Sequence, residues 1–291
     1  MMDPLVSIVL PTYNRAHLIG ETIESIIHQS YTKWELLIVD DGSTDHTHHV
    51  VESYHDPRIR VFKQNHIGKL GVVRNTGLRH AKGTFIAFAD SDDVWKVHKL
   101  ERQLEMLEKY PAAEFIFSNF NEFGTGASQP PDRGFFVGRL FEDILLKGKF
   151  GVCMPSLLFK SIVLNTTGLM NETYFSGSDI DFFYRLCYHF TGIFDNERLV
   201  HIRKHTQSSS HGFGDVVFHE HISMLETFCQ NSWISRSHKN KITQQLYYSM
   251  GLLQSRQGKT TMARISFHNA LAVNPFWWKP WLRWLQTWVP V

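Results

Sequence analysis

Trp34-Glu35-Leu36-Leu37-Ile38-Val39 runs without a break into Asp40-Asp41-Gly42-Ser43-Thr44-Asp45. A nearly continuous apolar run of this length fits a strand covered on both faces. Asp, Gly and Ser then supply a turn, or the cap of a following helix. The same figure recurs where Phe85–Ala89 leads into Asp90-Ser91-Asp92-Asp93. Outward from these two, Val6–Leu10, Arg60–Phe62 and Phe115–Ser118 are further strand candidates. Leu18, Ile19, Ile23, Ile26 and Ile27 fall at helical spacing between the first two strands, as Leu100, Leu104 and Leu107 do later. Strand–helix–strand at this rhythm implies parallel pairing with right-handed crossovers. The expected fold is α/β, a mostly parallel central sheet flanked by helices.

Composition bounds the class. The 291 residues suffice for one large α/β domain, alone or with a small appendage. With 43% hydrophobic and 20% charged residues they can bury a sizeable core. A formal net charge of +2, without a Lys/Arg stripe, argues against nucleic acid as a partner. Cys153, Cys187 and Cys229 form no CxxC pattern and are read as reduced thiols, hence a cytoplasmic setting. The run Leu5–Leu10 ends at Pro11, too short for a signal core, and reads as the first strand. No uncharged apolar stretch is long enough to suggest a membrane-spanning helix.

Farther along, Gly124, Gly126, Pro130, Pro131, Gly134 and Gly138 punctuate a loop-rich segment. Val152–Phe159 then reads as a strand and Ile180–Tyr188 as a helix. From Ile242 the chain reads as all helical. Leu246, Met250 and Leu253 mark one helix, Gly258 breaks it, and Met262–Ala272 form a second that Pro275 ends. Gly251, Ala263, Phe267, Ala270 and Pro275 resemble a single tetratricopeptide-type hairpin, expected to dock on the main domain because one such unit cannot bury its faces alone. Pro280 suits the first turn of a last helix. After it, Trp281, Trp284, Leu285 and Trp288 share one face. That face either packs on the hairpin, the favoured reading, or lies in a lipid interface with Lys279 and Arg283 near headgroups.

Two acidic clusters at equivalent strand ends carry the chemistry. In open parallel sheets, ligands sit at the carboxyl ends of strands. Grouped carboxylates repel unless a cation joins them, and a hard divalent metal is the usual partner. In an extended turn, alternation would aim Asp90 and Asp92 at one site and Ser91 away. Mg²⁺ or Mn²⁺ takes one or two protein carboxylates and completes its shell with substrate phosphates and water, which suits a diphosphate.

Val6-Ser7-Ile8-Val9-Leu10-Pro11-Thr12-Tyr13-Asn14-Arg15, Val39–Asp45, Arg74-Asn75-Thr76-Gly77 and Asp90-Ser91-Asp92-Asp93 together resemble the family 2 glycosyltransferases of the GT-A fold, in order, spacing and strand context over about 120 residues. The resemblance implies an inverting transferase. It would move a sugar from a nucleotide-diphosphate donor, UDP-linked by first choice, to a hydroxyl of a glycan or lipid-linked glycan, with Mn²⁺ or Mg²⁺ as cofactor. It also implies the roles. Pro11, Thr12 and Tyr13 look like the loop that packs on the base, with Arg15 nearby. Asp40 matches the carboxylate that accepts from the base edge, and Arg74 a basic residue at the nucleotide pocket. Asp90 matches the carboxylate facing ribose and sugar, and Asp92 the metal ligand. Lys69 is either a phosphate partner or a solvated lysine.

An inverting transfer needs a carboxylate to take the acceptor proton. Family members carry Glu-Asp-x-Asp opening a helix that continues to an Arg. Here Ser178-Asp179-Ile180-Asp181-Phe182-Phe183-Tyr184-Arg185 matches it, which places the base at Asp179 unless that residue merely caps the helix. Ser178 departs from the usual Glu, so acceptor inference from that position is weak. His201, Arg203, His205 and Ser208–Ser210 resemble the loop over the donor diphosphate, with Arg203 on phosphate and His205 on phosphate or metal. His46, His48 and His49 read as surface residues. The expected organisation is a nucleotide-sugar-binding half at 1–120, an acceptor half with the base at 121–220, and a helical hairpin plus Trp-rich helix at 221–291. The expected location is cytoplasmic, with peripheral contact at the inner membrane face through the Trp-rich helix left open. Two competing readings stand beside this one. A catalytically silent nucleotide-sugar binder loses ground because Asp92 and Asp179 are both present. A nucleotidyltransferase would need a Gly-rich phosphate loop, and Pro11–Arg15 has no glycine.

Overall fold

The computed structural model describes residues 3–148, 152–205 and 214–288. The chain divides into two compact units, Met1–Ser208 and Ser209–Val291. In the first, β1 (Val6–Thr12), β2 (Trp34–Asp40), β3 (Ile59–Lys63) and β4 (Phe85–Phe88) pair in parallel in the order β3-β2-β1-β4. Every residue of β1 and β2 is buried, as their nearly continuous apolar runs require. Between these strands the chain crosses over through α1 (Ile19–Ile27), α2 (Thr47–Glu52) and α3 (Leu70–His80). Ile19, Ile23 and Ile26 of α1 lie in the core with Ile8, Leu10 and Leu36.

Beyond β4 the sheet changes character. It continues β4-β8-β6-β9-β5 through β8 (Leu157–Lys160), β6 (Phe115–Gly124), β9 (Gly192–Lys204) and β5 (Val94–Trp95), with β7 (Phe136–Gly138) also on β9. β8 is antiparallel to both neighbours, β6 and β9 are parallel, and β5 and β7 run antiparallel to β9. Three helices flank this half: α4 (Lys99–Lys109), α5 (Leu164–Thr167) and α6 (Ser178–His189). The strand expected from Val152 begins only at Leu157. Met154–Ser156 forms a 3₁₀ turn because Pro155, with its fixed φ and no N–H, cannot join a ladder. β9 was not anticipated. Its partner β6 bulges between Ser118 and Phe120, which breaks the alternation a sequence pattern relies on.

In the second unit α7 (Gly214–Gln230), α8 (Arg236–Arg256), α9 (Thr260–Val273) and α10 (Trp278–Gln286) pack in sequence. The boundary expected at residue 220 falls inside α7, and the one at 120 inside β6. α8 and α9 form the anticipated hairpin: a Cβ on Gly251 would stand 2.6 Å from the Phe267 ring, so only glycine permits the approach. α10 is held by buried Pro280, by Arg264 Nη2 donating to Thr287 O at 2.7 Å, and by the Arg264 guanidinium 3.6 Å over the Trp288 ring. Of the aromatic face expected to pack, Trp284 is half-buried and the Trp288 ring lies under Arg264, whereas Trp281, Leu285 and Trp288 remain 44%, 54% and 57% exposed, so the face packs only in part. No described helix is long and apolar enough to cross a membrane.

Candidate active site

Parallel register sets Thr12 beside Asp40 and Val9 beside Phe88, so the loops after β1, β2 and β4 emerge at one edge. The first two are stitched together. Asn14 sits at φ 50, and its Oδ1 accepts from Thr44 N at 2.8 Å, while Asn14 N donates to Ser43 Oγ at 2.9 Å and Arg15 N to Thr47 Oγ1 at 2.8 Å. Asn tolerates that left-handed geometry. Asp40 is buried at the strand end, with Oδ1 accepting from Ser43 N at 2.9 Å and Ser43 Oγ at 2.6 Å. Its neighbour Asp41 is fully engaged, accepting from Gln64 Nε2, Ile67 N and Gly68 N at 2.8–3.1 Å. Asp41 therefore shapes the 64–68 loop, and Asp40 is the carboxylate left facing the edge.

Pro11 and Thr12 close β1, and Tyr13 stands beyond them, 38% exposed. His66 stacks on the Tyr13 ring with centroids 3.9 Å apart, its Nδ1 2.9 Å from Asp41 Oδ2. Nothing in the sequence pattern singled out His66. Lys69 Nζ donates to Glu172 O and Thr173 O at 3.2 and 3.4 Å, so it ties two loops. His46 and His49 are exposed and His48 half-buried on α2, as read.

Residues Asp90–Asp93 form a tight turn closed by Asp93 N donating to Asp90 O at 3.2 Å. Strand alternation therefore does not set their directions; their partners do. Arg74, buried on α3, donates through Nη2 to Asp90 Oδ1 at 2.8 Å, and its Nε is buried without a partner. Asp92 Oδ2 lies 3.0 Å from His205 Nε2 and 3.8 Å from Arg15 Nε. Arg15 thus stands at the Asp92 carboxylate and not only beside Pro11–Tyr13. Asp93 is buried and accepts from Arg203 N at 2.9 Å; burial first, then Asp90 and Asp92, hold its carboxyl well above the usual range.

Arg203 is corrected in place. It lies on β9 and not in a loop, donating through Nε to Asp92 O at 3.0 Å and pairing with Glu21 of α1. Contact with a phosphate would have to compete with Glu21. Ser208–Ser210 lie outside the described residues.

Asp179 opens α6 in its first turn. The cap position belongs to Gly177, while Asp179 Oδ1 accepts from Ile180 N at 2.8 Å. Burial raises its carboxyl above the ordinary value, with Arg74 opposing and Asp90 adding to the shift. Asp179 and Asp90 line one pocket of about 360 Å³ walled by Ile144, Met154, Phe183 and Tyr184. Phe183 and Tyr184 belong to α6, whereas Ile144 and Met154 come from short irregular turns that carry no periodic signal. Asp181 is committed to Arg185 at 2.6 Å, whose Nη2 donates to Leu169 O at 3.0 Å. Ser178 is buried against α3, where a Cβ on Gly71 would lie 2.8 Å from Ser178 Cβ. The larger Glu of the family pattern has no room there, and residue 178 faces a helix.

A divalent ion would find one carboxylate oxygen and one imidazole nitrogen converging at Asp92 and His205, half-sheltered at 18% and 21% side-chain exposure. That donor set fits a cation that completes its shell with phosphate oxygens and water. Among the described residues no group of three or more His, Cys, Asp or Glu could hold an ion by itself.

Residues 7–163 match the family model described as Glycosyl transferase family 2. A UDP-Glc:alpha-D-GlcNAc-diphosphoundecaprenol beta-1,3-glucosyltransferase of Escherichia coli, WfgD, is 42% identical over 120 residues, 41% of this chain and 47% of that protein. The chain thus spans about half the length of this curated relative. Among solved structures, Staphylococcus aureus TarS 1–349 in complex with UDP-GlcNAc superposes with a TM-score of 0.71 at 17% identity, over 92% of this chain and 81% of that one. A mannosyltransferase of Pyrobaculum calidifontis, PcManGT, in complex with GDP-Man and Mn²⁺, gives 0.62 at 18% identity, over 94% and 76%. These likenesses show the fold, which is of the GT-A type.

Proposed function

The chain belongs to glycosyl transferase family 2 and is a glycosyltransferase, and from that premise we propose that it transfers a sugar from a UDP-sugar to an acceptor hydroxyl with inversion. The observation that carries this reading is the pocket in which a buried-side carboxyl, Asp179, faces Asp90, itself held by Arg74. The two carboxylates have opposite environments, the arrangement that separates a proton acceptor from a fixed charge.

In this reading the acceptor hydroxyl enters the 360 Å³ pocket against Phe183 and Tyr184. Its oxygen attacks the anomeric carbon as Asp179 takes the proton, and the bond from that carbon to the diphosphate breaks with both electrons leaving on UDP. Tyr13 and Asp40 hold the base, and Arg74 orients Asp90 towards ribose and sugar. Asp92 and His205 would hold Mn²⁺ or Mg²⁺, which when bound neutralises the departing diphosphate. The UDP choice is supported by the name of the Escherichia coli relative and by the UDP-GlcNAc complex of TarS. The metal is supported by the Mn²⁺ complex of PcManGT. A lipid-linked acceptor is supported by the same relative's name, and would bring the enzyme, as a cytoplasmic protein, to the inner face of a membrane.

The test is direct. The protein, Mn²⁺ and a panel of UDP-, GDP- and dTDP-sugars are incubated with sugar-diphosphate lipids, and the anomeric configuration of any product is read by NMR. A β-linked product from an α-linked UDP-sugar is expected. A retained configuration, or donor binding without transfer under every condition, would defeat the reading.

A further inference from the structure

The last helix carries a second surface, independent of the transfer site. At about 100° per residue, Trp278, Trp281, Leu282, Leu285 and Trp288 fall within an arc roughly 120° wide. They are 64%, 44%, 48%, 54% and 57% exposed, and Phe276 just before the helix is 95% exposed. The opposite side is occupied, by buried Pro280 and by the bond from Arg264 to Thr287. Lys279 lies about 60° beyond one edge of the apolar arc and Arg283 about 100° beyond it, on the flank away from the Trp/Leu face, and α10 has no acidic residue. A contiguous exposed patch of this kind marks an interaction site, where scattered apolar residues would not.

Charge selects the occupant. The 65 residues after Glu226 contain eight Lys or Arg and no Asp or Glu, whereas the preceding 226 contain 22 and 28. The near-neutral whole hides a strongly cationic end. A symmetric pair of copies joined through α10 would set the same patch against itself, bringing two strongly cationic chain ends together with no carboxylate on the helix to offset them. An anionic headgroup layer supplies that charge. Tryptophan suits such a boundary, with an apolar ring and one polar atom; the indole of Trp281 already donates to Pro275 O at 2.8 Å, so its ring can enter an apolar layer without stranding an N–H. Nine residues are far too few to cross a bilayer, so the helix lies in the interface plane.

We propose that α10 docks this protein on an anionic phospholipid bilayer, with its Trp/Leu arc at the acyl boundary and Lys279 and Arg283 among the headgroups. The full chain is sedimented with phosphatidylcholine vesicles, with or without phosphatidylglycerol, and tryptophan emission is recorded. Strong binding and a blue shift are expected only with phosphatidylglycerol. Trp278→Ser/Leu282→Ser/Leu285→Ser should weaken partitioning at least about tenfold, with an unchanged melting temperature because these side chains face solvent. Lys279→Glu/Arg283→Glu, which leaves the apolar arc intact, should do so to a similar extent. The proposal is overturned if the wild type stays in the supernatant, binds neutral vesicles equally, or binds as before in both variants. It is equally overturned if the triple variant merely dissolves a dimer. No turnover is measured, so failure here leaves the transferase reading standing.

Discussion

Replacing Asp179 by Asn isolates the proposed proton transfer. The amide matches the carboxyl in size, and its Oδ1 can still accept from Ile180 N, which lies 2.8 Å away in the native chain. The start of α6 and the pocket walls should therefore survive. What disappears is a group able to take a proton near neutral pH. General-base catalysis is typically worth about 10²–10⁴, or roughly 3–5 kcal/mol of barrier at 1.36 kcal/mol per decade. The donor contacts proposed above lie on other elements, at Asp40, Arg74 and Asp92, so the loss should appear in kcat and spare the donor KM. The pH profile gives a second readout. Only the ionised carboxylate accepts a proton, and burial holds Asp179 above the ordinary value. The wild-type rate should thus fall as pH drops through that raised pKa, and the residual rate of Asp179→Asn should lack this limb. Steady-state kinetics with coupled UDP detection measure both. Normal turnover by Asp179→Asn would refute the assignment, and lost UDP binding would move the residue to the donor side. Asp181, the alternative closest in sequence, is locked to Arg185.

Calorimetry should show UDP binding tightened by Mn²⁺ in the wild type but not in Asp92→Asn; equal affinity with and without the ion in the native protein would remove Asp92 from the metal. Tighter binding of GDP or dTDP would keep the mechanism and change the nucleotide. Gly71→Ala should lower stability by about 1–3 kcal/mol in urea titrations, because its Cβ would meet Ser178 Cβ at 2.8 Å; an unchanged midpoint would show that α3 and α6 yield easily. Lys99 is fully buried, donates to Gln103 Oε1 at 2.8 Å, and has its pKa pushed down to about 7 by burial. Between that value and the unfolded value near 10.4 the unfolded chain binds the extra proton, so wild-type stability should rise with pH across this window. Lys99→Met should therefore gain most at pH 7 and below, with the gain fading towards pH 10; a pH-independent difference would contradict the shift.

The parallel half of the sheet and its loops were legible because they obey local rules. β1 and β2 are buried on both faces, so their sequences are nearly continuous apolar runs, Asp40 closes β2, and Asp90 follows soon after β4. Asp179 was found through a motif, not through a physical pattern. The rest was hidden for identifiable reasons. β9 is half-exposed and its partner bulges, so alternation fails. Two walls of the Asp179 pocket, Ile144 and Met154, sit on single turns too short to show a period. The direction of Asp92 depends on His205, 113 residues later, and on Arg15, 77 residues earlier, and such long-range pairing leaves no trace in local spacing. Glu21, which claims Arg203, is masked in the same way, reading as an ordinary first-turn acid of α1.

The distribution of charge around the site also explains why so many carboxylates can share one sheet edge. Asp90 is answered by Arg74, Asp92 by His205 and Arg15, and Asp93 by the Arg203 amide. These partners come from α3, from the loop after β1 and from β9 with the residue that follows it, so the acidic turn is fixed from three sides, which is the preorganisation that a site stabilising developing charge requires. Asp179 stands apart from this set. Its Oδ1 accepts from Ile180 N at its own helix start, and burial, partly opposed by Arg74, keeps its proton affinity high. An arginine introduced beside it, for example at Ile180, would lower that affinity and should slow the proposed transfer even with donor binding intact, because a weaker base takes the acceptor proton less readily.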